Sequence, residues 1–140
     1  MGGENRVGNK EEKGQRNGKM GLESKPAEIT VIKASEDVKI MAFNEGFLDL
    51  SVCEAIEHAF EENNKEGMRW LFDISHLSFL DSEGIKAILV CFSKIMNGKG
   101  LGTIVCDDSS RSYRVFSLLG LTKSPIKFHN DIQEGLRYLQ

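Results

Sequence analysis

Cysteine is scarce in this chain: Cys53, Cys91 and Cys106 are the only three in 140 residues. An odd number at long spacings excludes a disulfide framework and a zinc-ligand pattern. Reduced thiols of this kind fit a cytoplasmic location. No apolar run approaches 18 residues, so no membrane span is expected. No apolar stretch of the kind a secretory leader needs stands near the start. Met1-Gly2 lacks the rest of a myristoylation signal, because position 6 is Arg6. His58, His76 and His129 are far apart and mark no catalytic triad. Asp73 and Asp81 bracket a loop with no third ligand, so no metal is expected. The glycines at 98, 100 and 102 lie between a helix and a strand, the wrong order for a phosphate-binding loop. Cys106-Asp107-Asp108 follows a strand as the acidic pair of a receiver domain does, but the 32 residues after Asp108 are too few for that fold. No nucleophile and base pair is readable. The chain is therefore expected to be no enzyme, to carry no cofactor and to work by binding.

What is present divides into two parts. The first 27 residues hold six of the fourteen glycines, no aromatic residue and many charges. That composition buries too little apolar surface to offset ordering entropy, so residues 1–27 are expected to form a disordered polar tail and 28–140 a single domain. The tail has six Lys/Arg against four Asp/Glu, a balance of +2. The remainder has the other 12 of 18 basic and 17 of 21 acidic residues, a balance of −5. A domain of that charge is a poor nucleic-acid binder, since phosphate backbones select clustered Lys and Arg.

Within the domain the periodicities alternate. Glu28–Lys33 and Asp37–Phe43 read as a hairpin of half-buried strands around a polar turn at Ala34-Ser35-Glu36. Ser51 and Glu54 are spaced as a capping box, followed by Val52, Ala55, Ile56, Ala59 and Phe60 at helical spacing. Arg69–Ile74 reads as a central strand, apolar on both faces. A second helix is expected from Ser82 to about Met96, with Ile85, Ile88, Leu89, Phe92 and Met96 on one stripe. Leu101–Cys106 is a strand. Ser109 is expected to cap a third helix that stops at Gly120. Ile126–Phe128 and a helix capped by Asp131 complete the chain. The order β-β-α-β-α-β-α-β-α predicts an α/β fold with a mixed, mostly parallel sheet and about four helices. Periodicity leaves open whether the helices cover one face or both.

The densest signal is Asp81-Ser82-Glu83-Gly84, between the central strand and the second helix. Asp and Ser are favoured N-cap residues, and an acidic first turn suits the helix dipole, so ordinary capping explains the residue types. The same position also places a serine hydroxyl where an added phosphate is tolerated.

Three segments resemble the STAS domain, the fold of bacterial anti-sigma-factor antagonists. They are Gly46-Phe47-Leu48-Asp49, Phe72 to Gly84 with its Asp-Ser-x-Gly loop, and Val115-Phe116-Ser117-Leu118-Leu119-Gly120-Leu121. The resemblance spans about Glu28 to Leu139. It implies that Ser82 accepts phosphate from an anti-sigma factor that is itself a serine kinase. It also implies that the unmodified domain binds that partner and frees the sigma factor, and that a phosphatase resets the switch. Asp49, Asp81, Glu83, Gly84 and Lys86 are expected to form the partner-binding surface. ATP belongs to the kinase. The sequence departs from the pattern at Glu83, where the family often has a small hydroxyl residue, and at Ile85-Lys86 in place of Leu-Gly. Glu83 adds a permanent negative charge beside Ser82, and Lys86, one turn on, partly compensates. A STAS-like module that binds a small ligand or scaffolds a sensory complex is the alternative.

Overall fold

The alternating segments at the start of the domain form an antiparallel hairpin, β1 (Ile29–Ser35) and β2 (Val38–Phe43), with Ile32 opposite Ile40. This is a computed structural model, and it describes residues 25–140. Residues 1–24 of the expected 1–27 tail lie outside the described residues. The packed part reaches back before Glu28: the Phe47 amide donates to the Lys25 carbonyl, the Ala27 amide donates to the Phe47 carbonyl, and Ala27 is buried.

After the hairpin come β3 (Phe47–Leu48), α1 (Leu50–Asn63), β4 (Arg69–Asp73), β5 (Phe79–Leu80), α2 (Ser82–Asn97), β6 (Leu101–Val105), α3 (Arg111–Leu118), β7 (Lys127–His129) and α4 (Ile132–Tyr138). The main sheet runs β1-β2-β4-β6-β7, parallel except for the β1–β2 pair. The mixed, mostly parallel α/β architecture and the four helices agree with the sequence reading. Two short strands were not foreseen: β3 and β5 pair with each other in a separate parallel ladder.

The topology settles which faces the helices cover. The three crossovers through α1, α2 and α3 all step the same way across the sheet. Right-handed crossovers that step in one direction place their helices on one face. That face holds the larger core, with Met41, Phe43, Trp70, Phe72 and Ile104 from the strands against Ile56, Phe60, Ile88, Phe92 and Phe116 from the helices. Aromatic contacts run through it, Phe60–Trp70 and Phe72–Phe92 both at 5.2 Å between ring centres. α4 follows the last strand and closes the other face, where Leu139 and Leu136 pack on Val38, Ile40, Leu71 and Val105.

Three local expectations are corrected. α1 is capped by Asp49, whose carboxylate accepts from the Ser51 amide at 3.0 Å, and not by a Ser51–Glu54 box. β3 pins the chain at Leu48, so the helix begins two residues earlier than the box spacing suggests. α3 is capped by Ser110, which accepts from the Tyr113 amide at 3.1 Å. Ser109 is held outside the helix, because its amide and hydroxyl both donate to Asp107. The last strand is displaced by one residue to Lys127–His129. Among the described residues no helix is long and apolar enough to cross a membrane.

Candidate functional site

The β3–β5 ladder builds the site. Phe47 pairs with Phe79 and Leu48 with Leu80, and the two phenyl rings lie 5.2 Å apart. Both strands are followed at once by an aspartate that caps a helix, so Phe-Leu-Asp occurs twice, at 47–49 and 79–81. Adjacent strands lie about 4.8 Å apart, which sets the starts of α1 and α2 side by side. The Asp81 amide donates to the Leu48 carbonyl at 3.2 Å and fixes the two starts to each other. Gly46 enters this ladder at φ +152°, and a side chain there would meet the Ala27 backbone at 2.7 Å. The repeated tripeptide was the signal for the ladder, and periodicity analysis passes over it because each strand has only two residues.

Ser82 is the first residue of α2 and is exposed. No group among the described residues takes its hydroxyl. The Asp81 carboxylate, half-buried, accepts from the Gly84 amide at 3.0 Å, and the Ile85 amide closes the first helical bond on the Asp81 carbonyl. The amides of the first two residues of a helix have no intrahelical acceptor and point outward with the positive end of the dipole. Glu83 is half-buried and forms an ion pair with Lys86 at 3.2 Å.

Of the six residues singled out from the sequence, five gather here: Asp49, Asp81, Ser82, Glu83 and Lys86 flank the two helix starts. Gly84 differs. It was expected on a partner-binding surface, and it is buried. A methyl group on its α-carbon would lie 2.5 Å from the Leu48 carbonyl oxygen and 2.9 Å from the Leu48 side chain. Its role is to let α2 approach β3 closely, which draws the starts of α1 and α2 together.

Cys53 was not singled out, and it joins the two helices. Its sulfur lies 3.4 Å from the Asp49 carbonyl and 3.3 Å from the Glu83 carbonyl, and its S–H donates to one or the other. Burial raises its pKa, and the charges of Asp81, Glu83, Glu57 and Asp49 raise it further. The thiol thus reports an acidic environment and stays protonated near neutrality. Two exposed apolar residues, Leu50 after Asp49 and Phe79 before Asp81, border the acids.

Elsewhere the chemistry is sparse. A cleft of about 280 Å³ opens at the opposite pole, between the β1–β2 turn and the end of α1. Its Lys33 is paired with Glu36, and its Lys39 caps the end of α1 by donating to the Asn63 carbonyl. Among the described residues no cluster of His, Cys, Asp and Glu is arranged to hold a metal ion.

No protein-family model and no curated protein matches this chain. Solved structures do. An anti-sigma factor antagonist from Mycobacterium paratuberculosis superimposes with a TM-score of 0.68 at 22% identity, over 83% of this chain and 97% of that one. The anti-sigma factor antagonist SpoIIAA in its unphosphorylated form gives 0.58 at 14% identity, over 79% and 96%. The Bacillus cell fate determinant SpoIIAA in the phosphorylated form gives 0.56 at 17% identity, over 81% and 100%. The chain has the STAS-like fold of the anti-sigma-factor antagonists.

Proposed function

We propose that this chain is an anti-sigma-factor antagonist controlled by phosphorylation of Ser82, regulating transcription by switching partners. The observation that carries the reading is the exposed hydroxyl at the first position of α2, without a partner among the described residues and framed by Asp81 and Glu83, on a helix start that the Asp81–Leu48 hydrogen bond ties to the start of α1. The binding unit is residues 25–140, and it works without turnover of its own. Its partner is an anti-sigma factor that is also a serine kinase, which supplies ATP.

In the modifying step the Ser82 oxygen attacks the γ-phosphorus of ATP. The bond from that phosphorus to the β–γ bridging oxygen breaks, ADP leaves, and the hydroxyl proton passes to a base of the kinase. The product carries about −1.5 to −2 extra charges at a helix start. There the dipole offsets roughly 0.3–1 kcal/mol, so the domain stays folded. A structural neighbour, SpoIIAA, has been solved with and without phosphate, and both forms superimpose on this fold to a similar degree. Against a docked partner the same charge must be desolvated, which costs several kcal/mol. Docking is lost while the fold survives. Unmodified, Asp49, Asp81, Glu83 and Lys86 offer the partner a mainly acidic surface, with Leu50 and Phe79 as apolar anchors at its border. A phosphatase restores this state.

The test is phosphate transfer and capture with native cell extract. Wild-type chain should incorporate label from ATP and Ser82→Ala should not. Ser82→Ala should retain an ATP-binding kinase partner that Ser82→Asp loses. Equal labelling of Ser82→Ala sinks the acceptor assignment. Identical partner sets for both variants sink the switch and leave a scaffold module.

A further inference from the structure

Lys86 stands three residues after Glu83 and four after Ser82 on α2. Both spacings bring side chains together on a helix surface, and an acid four residues before a lysine is the better orientation of such pairs. In the unmodified chain Lys86 is held by Glu83 at 3.2 Å, and both side chains are substantially exposed. An exposed pair of this kind is weak and cheap to break. A phosphate on Ser82 would present up to twice the charge of Glu83, three acceptor oxygens and the favoured spacing.

We propose that Lys86 is a counter-ion divided between Glu83 and phosphorylated Ser82, and that it is drawn in part from the carboxylate to the phosphate when the serine is modified. This rests on the phosphorylation reading and deepens it. Modification then changes two positions at once. The dianion appears at 82, and the Glu83 carboxylate, partly released from Lys86, becomes a less compensated charge on the same surface. The permanent acid at position 83 is partly compensated before modification and adds more to the repulsion afterwards. Lys86 is a positioning residue in this scheme, since it acts through its neighbours. The other acids nearby, Asp49 and Asp81 at the two helix starts and Glu57 farther along α1, all disfavour added negative charge, and among the described residues Lys86 is the cation held in an ion pair at the start of α2.

The experiment uses the full chain with phosphoserine installed at position 82 by genetic encoding, so no kinase is required. Phosphorus NMR then follows the second ionisation of the phosphate against pH. Lys86→Met should raise that pKa by ~0.3 units, the size expected from an exposed ion pair at 1.36 kcal/mol per unit. Lys86→Arg should restore the wild-type value, and Lys99→Met, past the far end of α2, should change nothing. Glu83→Gln should lower the pKa, and Lys86→Met should have a larger effect in that background, because the lysine is no longer divided. No shift in Lys86→Met, a shift equal to that of Lys99→Met, or strict additivity with Glu83→Gln would overturn the proposal. Its failure is separate from failure of the function: the titration needs no partner, and label transfer to Ser82 does not depend on its result.

Discussion

The starts of α1 and α2 are built to the same plan and differ in what they leave available. Each follows a two-residue strand ending Phe-Leu-Asp, and each aspartate is an N-cap. At α1 the Asp49 carboxylate takes the amide and, at 2.6 Å, the hydroxyl of Ser51. At α2 the Asp81 carboxylate takes the Gly84 amide, and the exposed Ser82 hydroxyl has no partner among the described residues. Counting from each cap, Val52 of α1 corresponds to Gly84 of α2. One helix start is thus closed on itself and padded by a side chain. The other is drawn tightly onto β3 with its serine outward. Under the proposed function, what suits the α2 start to a switch is an exposed hydroxyl with no acceptor among the described residues, together with the glycine that allows the close approach.

The largest break in this comparison should come from that glycine. Gly84→Ala places a methyl group 2.5 Å from a backbone oxygen that cannot move without disturbing β3. It should cost roughly 1–3 kcal/mol, as overpacking does, and Gly84→Val, which copies α1, should cost more. Urea unfolding measures both. If Gly84→Ala is as stable as wild type, the tight docking of α2 is not what fixes the site. Next in size are the caps. Asp49→Ala and Asp81→Ala should each cost about 1 kcal/mol, with the Asn variants recovering most of it. A cost confined to one of them would show that the two starts are not energetically alike.

The sequence made the regular elements legible because their signals are local. Trp70, Leu71 and Phe72 are apolar on successive positions and form a strand buried on both faces. Ile85, Ile88 and Phe92 keep helical spacing and face the core. Asp131 caps α4 as its position suggests, accepting from the Glu134 amide at 2.8 Å. Apart from the α3 cap, where Asp107 holds Ser109 two residues on, the missed features depend on partners remote in the chain. Phe47 and Phe79 form strands only because they meet each other across 32 residues. Asp49 outcompetes Ser51 for the cap because that pairing decides where α1 begins. Gly84 reads as part of a surface motif, and only the proximity of Leu48 shows it to be a packing residue. Cys53 carries no motif at all, and its place between two helix starts appears only in three dimensions.

A finer contrast lies in the thiols. Cys53 has its pKa raised by burial and by four acids, so a neutral alkylating agent at pH 8 should modify it more slowly than a free cysteine. The rate should climb with pH as thiolate forms, and Asp81→Asn or Glu83→Gln should speed it by removing nearby charge. Burial pushes Cys91 up to about 12 and Cys106 up to about 11, so these two should react chiefly when the chain unfolds. Mass spectrometry of the modified chain separates the three. If Cys53 reacts as fast as a free thiol, the acidic surroundings ascribed to the α2 start are not felt there.

The smallest effect discriminates best between the two helix starts. Ser51→Ala removes a hydroxyl that donates to a carboxylate at 2.6 Å. The exposed position limits the loss to about 0.5–1 kcal/mol. Ser82→Ala removes a hydroxyl with no acceptor among the described residues, and alanine is the better helix former. Its effect should fall within about 0.5 kcal/mol of zero, on the stabilising side if anywhere. Paired thermal and urea unfolding of the two variants reads the difference directly. A Ser82→Ala variant that loses more stability than Ser51→Ala would mean that folding itself uses the Ser82 hydroxyl. A phosphate could then reach that oxygen only by breaking native structure, and a switch that leaves the fold intact would be excluded.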